Sequence, residues 1–135
     1  MIDTGAFLAQ RSPRDQYHAR AVKGFNALAS SPIELYSTEH VLNEVMTLLA
    51  QRESYAYAAE AGEELIGSQV LQWLDATNAD WRAALKMMRK YADQRVSFTD
   101  CISFALMRRQ GIKHVFGFDR HFSAAGFKVL LGEDI

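Results

Sequence analysis

One cysteine, two prolines and four histidines in 135 residues are scarcities that each remove a class of chemistry. A lone Cys101 permits neither an internal disulfide nor a multi-cysteine zinc site. It falls within an apolar helical stretch, which suits a structural thiol. His18, His40, His114 and His121 show no HxxxH or HxH spacing, so the pattern argues against a histidine-built metal centre. No glycine-rich phosphate loop and no GxSxG nucleophile motif occurs. Asp3-Thr4-Gly5 lacks the second aspartate that a DxD phosphotransferase needs at position 5. There is no low-complexity tract and no internal repeat. No uncharged apolar run approaches the length of a spanning helix, and no basic-then-apolar leader precedes Asp3. The expectation is a soluble, cytoplasmic protein without membrane attachment.

What remains is ordinary globular material. Hydrophobic residues make up 49% and charged residues 23% of the chain, enough for one domain spanning residues 1–135 around a real core. The formal charge of −1 hides an asymmetry: residues 1–75 sum to −5 and residues 76–135 to +4. That distribution fits a basic face for a polyanion beside an acidic site, and equally fits ordinary solvated helix faces.

Periodicity organises the chain. After "MID", "TGAFLAQR" forms a short helix. "DQYHARAVKGFNALASS" repeats Tyr17, Ala21, Phe25 and Leu28 at threes and fours and is predicted helical. "SPIELYS" (31–37) is a strand opened by proline. "TEHVLNEVMTLLAQR" is a helix with Thr38 as N-cap and a Val41, Val45, Leu48, Leu49 stripe. "SYAYAAEAGEELIGS" is a helix ending near Gly67, and "QVLQWLD" (69–75) is a strand. "NADWRAALKMMRKYAD" is a helix with Trp81, Leu85 and Met88 on one side. "SFTDCISFALMRRQG" is a helix closed by basic residues and Gly111, as the helix dipole favours. "HVFGF" is a strand, and "FKVLL" (127–131) is another after the "SAAG" turn. Strands alternating with helices predict a mostly parallel sheet covered on both faces.

In such sheets ligands sit outside the carboxyl ends of the strands. Asp3 follows the first apolar residues, and Asp119 ends "HVFGF", so both fall on that rim. Asp100 opens a helix on the same rim. Taken alone it reads as a cap, because Ser97-x-x-Asp100 matches a capping box. Glu44 lies three residues after Val41 and four before Leu48, close to the core-facing stripe. Either it snorkels from the stripe's edge or it points into a polar cleft, since burying it uncompensated is costly. Four carboxylates brought together would repel one another until they took up protons or a cation. An all-oxygen donor set suits Mg²⁺ or Mn²⁺. Magnesium held in this way polarises phosphate and generates hydroxide from bound water.

"DTGAFLA", Glu44 within "TEHVLNEVMTLLA", "SFTDCISFALM" and "FGFDRHF" occur in the order typical of PIN-domain ribonucleases. The chain resembles that family over nearly its whole length, and looks most like the VapC-type toxins of toxin–antitoxin pairs. The resemblance implies a three-layer α/β/α sandwich with a mostly parallel central sheet, and an acidic pocket binding Mg²⁺ or Mn²⁺. It implies endonucleolytic cleavage of RNA, with Asp3, Glu44, Asp100 and Asp119 as the acidic quartet. Asp3 and Asp100 would be the most direct metal ligands. Thr4 and Thr99 match hydroxyl-bearing positions that orient ligands or water, and Arg120 could contact a phosphate or form a surface pair. For His121 the reading is capping or packing. A cognate antitoxin and a homodimer are implied as partners, and Phe7, Tyr55, Tyr57, Trp73 and Trp81 are aromatics in excess of the expected core. Arg82, Lys86, Arg89, Lys90, Arg108, Arg109 and Lys113 are candidates for holding an RNA backbone. Two departures from the family pattern stand out: only Met1 and Ile2 precede Asp3, and position 5 is Gly where Ser or Asn is common. The alternatives are a stand-alone PIN nuclease acting in RNA maturation or on DNA, and a non-enzymatic binding module whose carboxylates are caps.

Overall fold

A computed structural model describes all residues from Met1 to Ile135. The shortest extended segment, Met1–Asp3, organises the sheet. Its Ile2 N–H donates to the Tyr36 carbonyl at 2.7 Å. On the other side Phe116 N–H donates to Met1 O at 2.8 Å and Asp3 N–H to Phe116 O at 3.0 Å. These bonds place the segment between β1 (Leu35–Thr38) and β3 (His114–Phe116), running parallel to β3. Beyond β1 lies β2 (Leu71–Leu74), and beyond β3 lies β4 (Lys128–Leu130), each pairing parallel to its neighbour. Two apolar residues therefore suffice for a central strand, because both edges of the segment are paired.

Parallel neighbours need crossovers, and helices supply them. α1 (Thr4–Arg11), α2 (His18–Ala29), α3 (Glu39–Arg52) and α4 (Tyr55–Ile66) precede β2; α5 (Asn78–Lys90) and α6 (Phe98–Gln110) precede β3. Side chains alternate across a strand, and that alternation sorts the core in two. Ile2 and Phe116 join Phe7, Val41, Val45 and Leu49 on one face; Met1 and Val115 join Ile102, Phe104, Leu106 and Phe122 on the other. Helices α1–α4 cover the first face, and α5, α6 and α7 (His121–Ala124) the second, giving the α/β/α sandwich. α6 is buried continuously from Asp100 to Met107, as befits a helix wedged between sheet and neighbours.

Several boundaries differ from expectation. α2 starts at His18, because residues 12–17 turn back on themselves, with Tyr17 N–H donating to Asp15 Oδ1 at 2.8 Å. β1 begins only at Leu35, leaving Ile33 exposed. The "SAAG" region is more than a turn: α7 (His121–Ala124) forms a one-turn crossover between parallel β3 and β4. Trp81, Leu85 and Met88 do share a side of α5, but it is the solvent side. Asp80 and Ala84 face inward instead, because Arg109 of α6 grips the Asp80 carboxylate through Nε and Nη2, both at 2.9 Å. Among the surplus aromatics Phe7 is buried, while Tyr55 is exposed.

Candidate active site

The carboxyl ends of Met1–Asp3, β1 and β3 share one rim, as do the amino ends of α1, α3 and α6. A cleft of ≈ 610 Å³ opens there. Asp3, Glu44, Asp100 and Asp119 all line it, although they lie up to 116 residues apart in sequence.

Each carboxylate arrives by a local device. Asp3 ends the central segment and precedes α1 as its N-cap residue, yet its side chain makes no cap bond. Gly117 allows the close approach: a Cβ there would sit 3.1 Å from Asp3 Cβ. Ser97 caps α6 by accepting the Asp100 N–H at 3.1 Å. The reciprocal bond from the Asp100 carboxylate is absent, so only half of the capping box forms and the acid is left to the cleft. Val41, Val45 and Leu49 bury one side of α3; Glu44 lies beside that stripe, half-buried, and lines the polar cleft. Asp119 accepts the His121 N–H at 2.8 Å in a tight turn after β3.

Electrostatics make the gathering costly. Asp3 is 3% exposed, and burial pushes its carboxyl up to about 7. Backbone donors at Thr4 and Gly5 oppose that rise, and the charges of Asp119 and Glu44 add to it. Asp100 is pushed to about 8, first by burial, then by Asp3 and Asp119. Two acids that resist ionisation beside two more carboxylates mark a hollow that favours the uptake of positive charge, as protons or as a cation. Asp3 Oδ1 is buried without any hydrogen-bond partner. An orphaned carboxylate oxygen, an all-oxygen quartet and raised proton affinities fit a hard divalent cation.

The supporting residues divide. Thr4 lines the cleft, with its hydroxyl buried and unpartnered, and Arg120 lies on the rim. Thr99 is not part of the cleft wall; Ser97 takes that place. For His121, expected to cap or to pack, Nδ1 lies 3.0 Å from Asp119 Oδ1 and 4.0 Å from Asp100 Oδ2. None of the seven basic candidates from the second half of the chain lines the cleft. Arg109 is committed to Asp80, and Arg108 donates to Ala125 O while covering the Phe127 ring. The cations beside the acids are Arg52, Arg95 and Arg120. Arg52 pairs with Asp15 at 3.1 Å. Its position was legible, two turns along α3 from Glu44. Arg95 was not: it adopts a left-handed backbone, φ 54°, which nothing in its neighbours announces.

Comparison with known proteins agrees with this geometry. A family model described as "PIN domain" matches residues 1–128. The 23S rRNA-specific endonuclease VapC20 of Mycobacterium tuberculosis, matched in two strains, is 33% identical over 126 residues, covering 93% of each chain. A crystal structure of M. tuberculosis VapC20, described as a sarcin–ricin loop cleaving toxin, superposes with a TM-score of 0.83 at 32% identity. That superposition covers 93% of this chain and 94% of the other.

Proposed function

The chain belongs to the PIN-domain family, and from that premise we propose that it is a metal-dependent endoribonuclease, the toxin of a toxin–antitoxin pair. Asp3, Glu44, Asp100 and Asp119 hold Mg²⁺ or Mn²⁺ and carry the reaction. The observation that bears most weight is the burial of Asp3 and Asp100 against two further carboxylates, with Asp3 Oδ1 lacking a partner. When bound, the metal supplies Lewis acidity to the phosphate and lowers the pKa of a coordinated water.

The chain's own groups do the rest. Asp3 and Asp100, fixed by backbone pairing and by the α6 cap, set the floor of the cleft. Glu44 and Asp119, less buried, complete the acidic ring and can accept a proton from the attacking water. Arg52, Arg95 and Arg120 on the rim hold the phosphates of the strand. Thr4 Oγ1 orients a ligand or a water. Cleavage leaves a 5′-phosphate and a 3′-hydroxyl.

A ribosomal RNA stem-loop is the substrate to test first, because the relative's name specifies 23S rRNA and its structure's title a sarcin–ricin loop. The partners are a cognate antitoxin and a second copy of the chain, in the cytoplasm; no helix is long and apolar enough to cross a membrane. The test is purified Asp100→Asn against such a stem-loop with Mg²⁺ or Mn²⁺. Replacing a direct ligand is expected to reduce cleavage by more than the roughly 100-fold typical of residues that merely support ligands. Undiminished cleavage by a folded variant removes the site.

A further inference from the structure

Resting on the metal-site reading above, we propose that His121 is a nitrogen ligand of that site and that it biases the site toward Mn²⁺ over Mg²⁺. Single donor atoms of Asp100, Asp119 and His121 all lie within 4.8 Å of one another. His121 Nδ1 is buried and has no hydrogen-bond partner, although Asp119 Oδ1 is only 3.0 Å away. That oxygen already accepts the His121 backbone N–H at 2.8 Å, and the ring nitrogen is not aligned to bond with it as well. The same cleft contains two further orphans, Asp3 Oδ1 and Thr4 Oγ1.

The placement is built rather than incidental. The turn through Asp119 folds the imidazole back over the carboxylates. Phe122, the next residue, is buried edge-on against Phe104 with centroids 5.0 Å apart, which anchors α7 and with it the ring. Octahedral coordination at roughly 2.1–2.2 Å puts neighbouring donors about 3 Å apart and opposite donors a little over 4 Å apart. The 3.0 Å and 4.0 Å separations from His121 to Asp119 and Asp100 fall near those two edges. Imidazole suits first-row transition metals, whereas Mg²⁺ prefers oxygen and gives up its waters reluctantly. Adding one nitrogen to a carboxylate ring therefore discriminates between two ions that the carboxylates alone would treat more alike.

The assignment is testable without catalysis, because His18, His40 and His114 do not line the cleft. The full-length protein is loaded with Mn²⁺ and examined by electron spin-echo envelope modulation. Histidine nitrogen coupling is expected in the wild type and in Asp119→Asn, and is expected to vanish in His121→Gln. By calorimetric titration, His121→Gln is expected to lose about 10-fold or more in Mn²⁺ affinity and markedly less in Mg²⁺ affinity. His121→Ala, which leaves no side-chain donor atom at all, should behave as His121→Gln does. Mn²⁺ binding that depends on Asp100 but shows no nitrogen coupling overturns the histidine assignment and leaves the carboxylate site standing. Equal losses for the two ions overturn the selectivity. No Mn²⁺ binding by the wild type, or binding indifferent to Asp100→Asn, overturns both readings.

Discussion

Asp3→Asn tests the electrostatics of the cleft without any substrate. In the metal-free protein, burial raises the Asp3 carboxyl from 3.8 to about 7, so the folded state binds this proton more tightly than the unfolded chain does. The contribution to stability is therefore fully present below pH about 4 and is lost as pH climbs toward about 7. Asparagine is neutral throughout and keeps an oxygen for the backbone donors at Thr4 and Gly5. At about 1.4 kcal/mol per tenfold change in proton affinity, the ionisation cost that it removes is about 2 kcal/mol at pH 5 and about 4 kcal/mol at pH 8. For a chain of this size that corresponds to a rise in Tm on the order of 10 °C at pH 8. The assay is thermal unfolding in EDTA across pH 5–8, then repeated with Mn²⁺. The expected result is a variant more stable than wild type, with the gap widening as pH rises. Mn²⁺ should then stabilise the wild type and help the variant far less. A gap that shrinks with pH, or a variant less stable at every pH, refutes the account of a strained, cation-requiring acid.

Gly117→Ala places a methyl 3.1 Å from Asp3 Cβ; the protein is expected to stay folded while its Mn²⁺ affinity, read by calorimetry, falls. Arg109→Ala leaves the buried Asp80 carboxylate without its bidentate partner, at a cost of about 2–4 kcal/mol in chemical denaturation, with cleavage per folded molecule unchanged. Burial alone would raise the Asp80 acid, but Arg109 and Thr77 outweigh it and hold it below its usual value. The stability gained from this pair is therefore present above pH about 4 and is lost as pH falls through the lowered value. Arg95→Gly removes a rim cation from a left-handed position that glycine tolerates; stability should hold or rise, while RNA binds more weakly with a salt slope shallower by about one.

The rim was legible because two kinds of signal coincide there. Apolar runs ending in an acid locate strand ends, and helix starts locate Asp100, so topology alone predicts that Asp3, Asp100 and Asp119 share an edge. Glu44 was legible as an anomaly, a charge beside the Val41–Val45–Leu49 stripe. The sheet's alternation was legible in the same way, since Met1 and Ile2 must part to opposite faces. What escaped the sequence depends on angles rather than spacing. Ser97-x-x-Asp100 spells a capping box, yet only the backbone half forms, and nothing in the letters says which way a first-turn acid rotates. Thr77 and Asp80 spell a capping box too and complete it.

The cations show the same limit more sharply. Charge counted along the chain points to the second half, which does hold Arg95 and Arg120, but the clusters visible in the sequence there are others, Arg108 and Arg109 among them. In the fold both are used internally, one on a carbonyl and an aromatic ring, the other on a buried acid. The arginines that reach the acids come from three separate elements: the end of α3, the turn before α6 and the turn after β3. A rim of cations assembled from single residues leaves no run to detect, because the field at the cleft depends on distance through the folded molecule and not along the sequence. The net charge of −1 is therefore no obstacle to RNA binding. On the proposed function, three guanidinium groups around the cleft would attract phosphate at the edges, while the acids among them, without a cation, would oppose its approach. On the metal-site proposal, the RNA affinity of the wild type is expected to fall when the divalent ion is removed, even at constant ionic strength; unchanged affinity would separate strand binding from the metal.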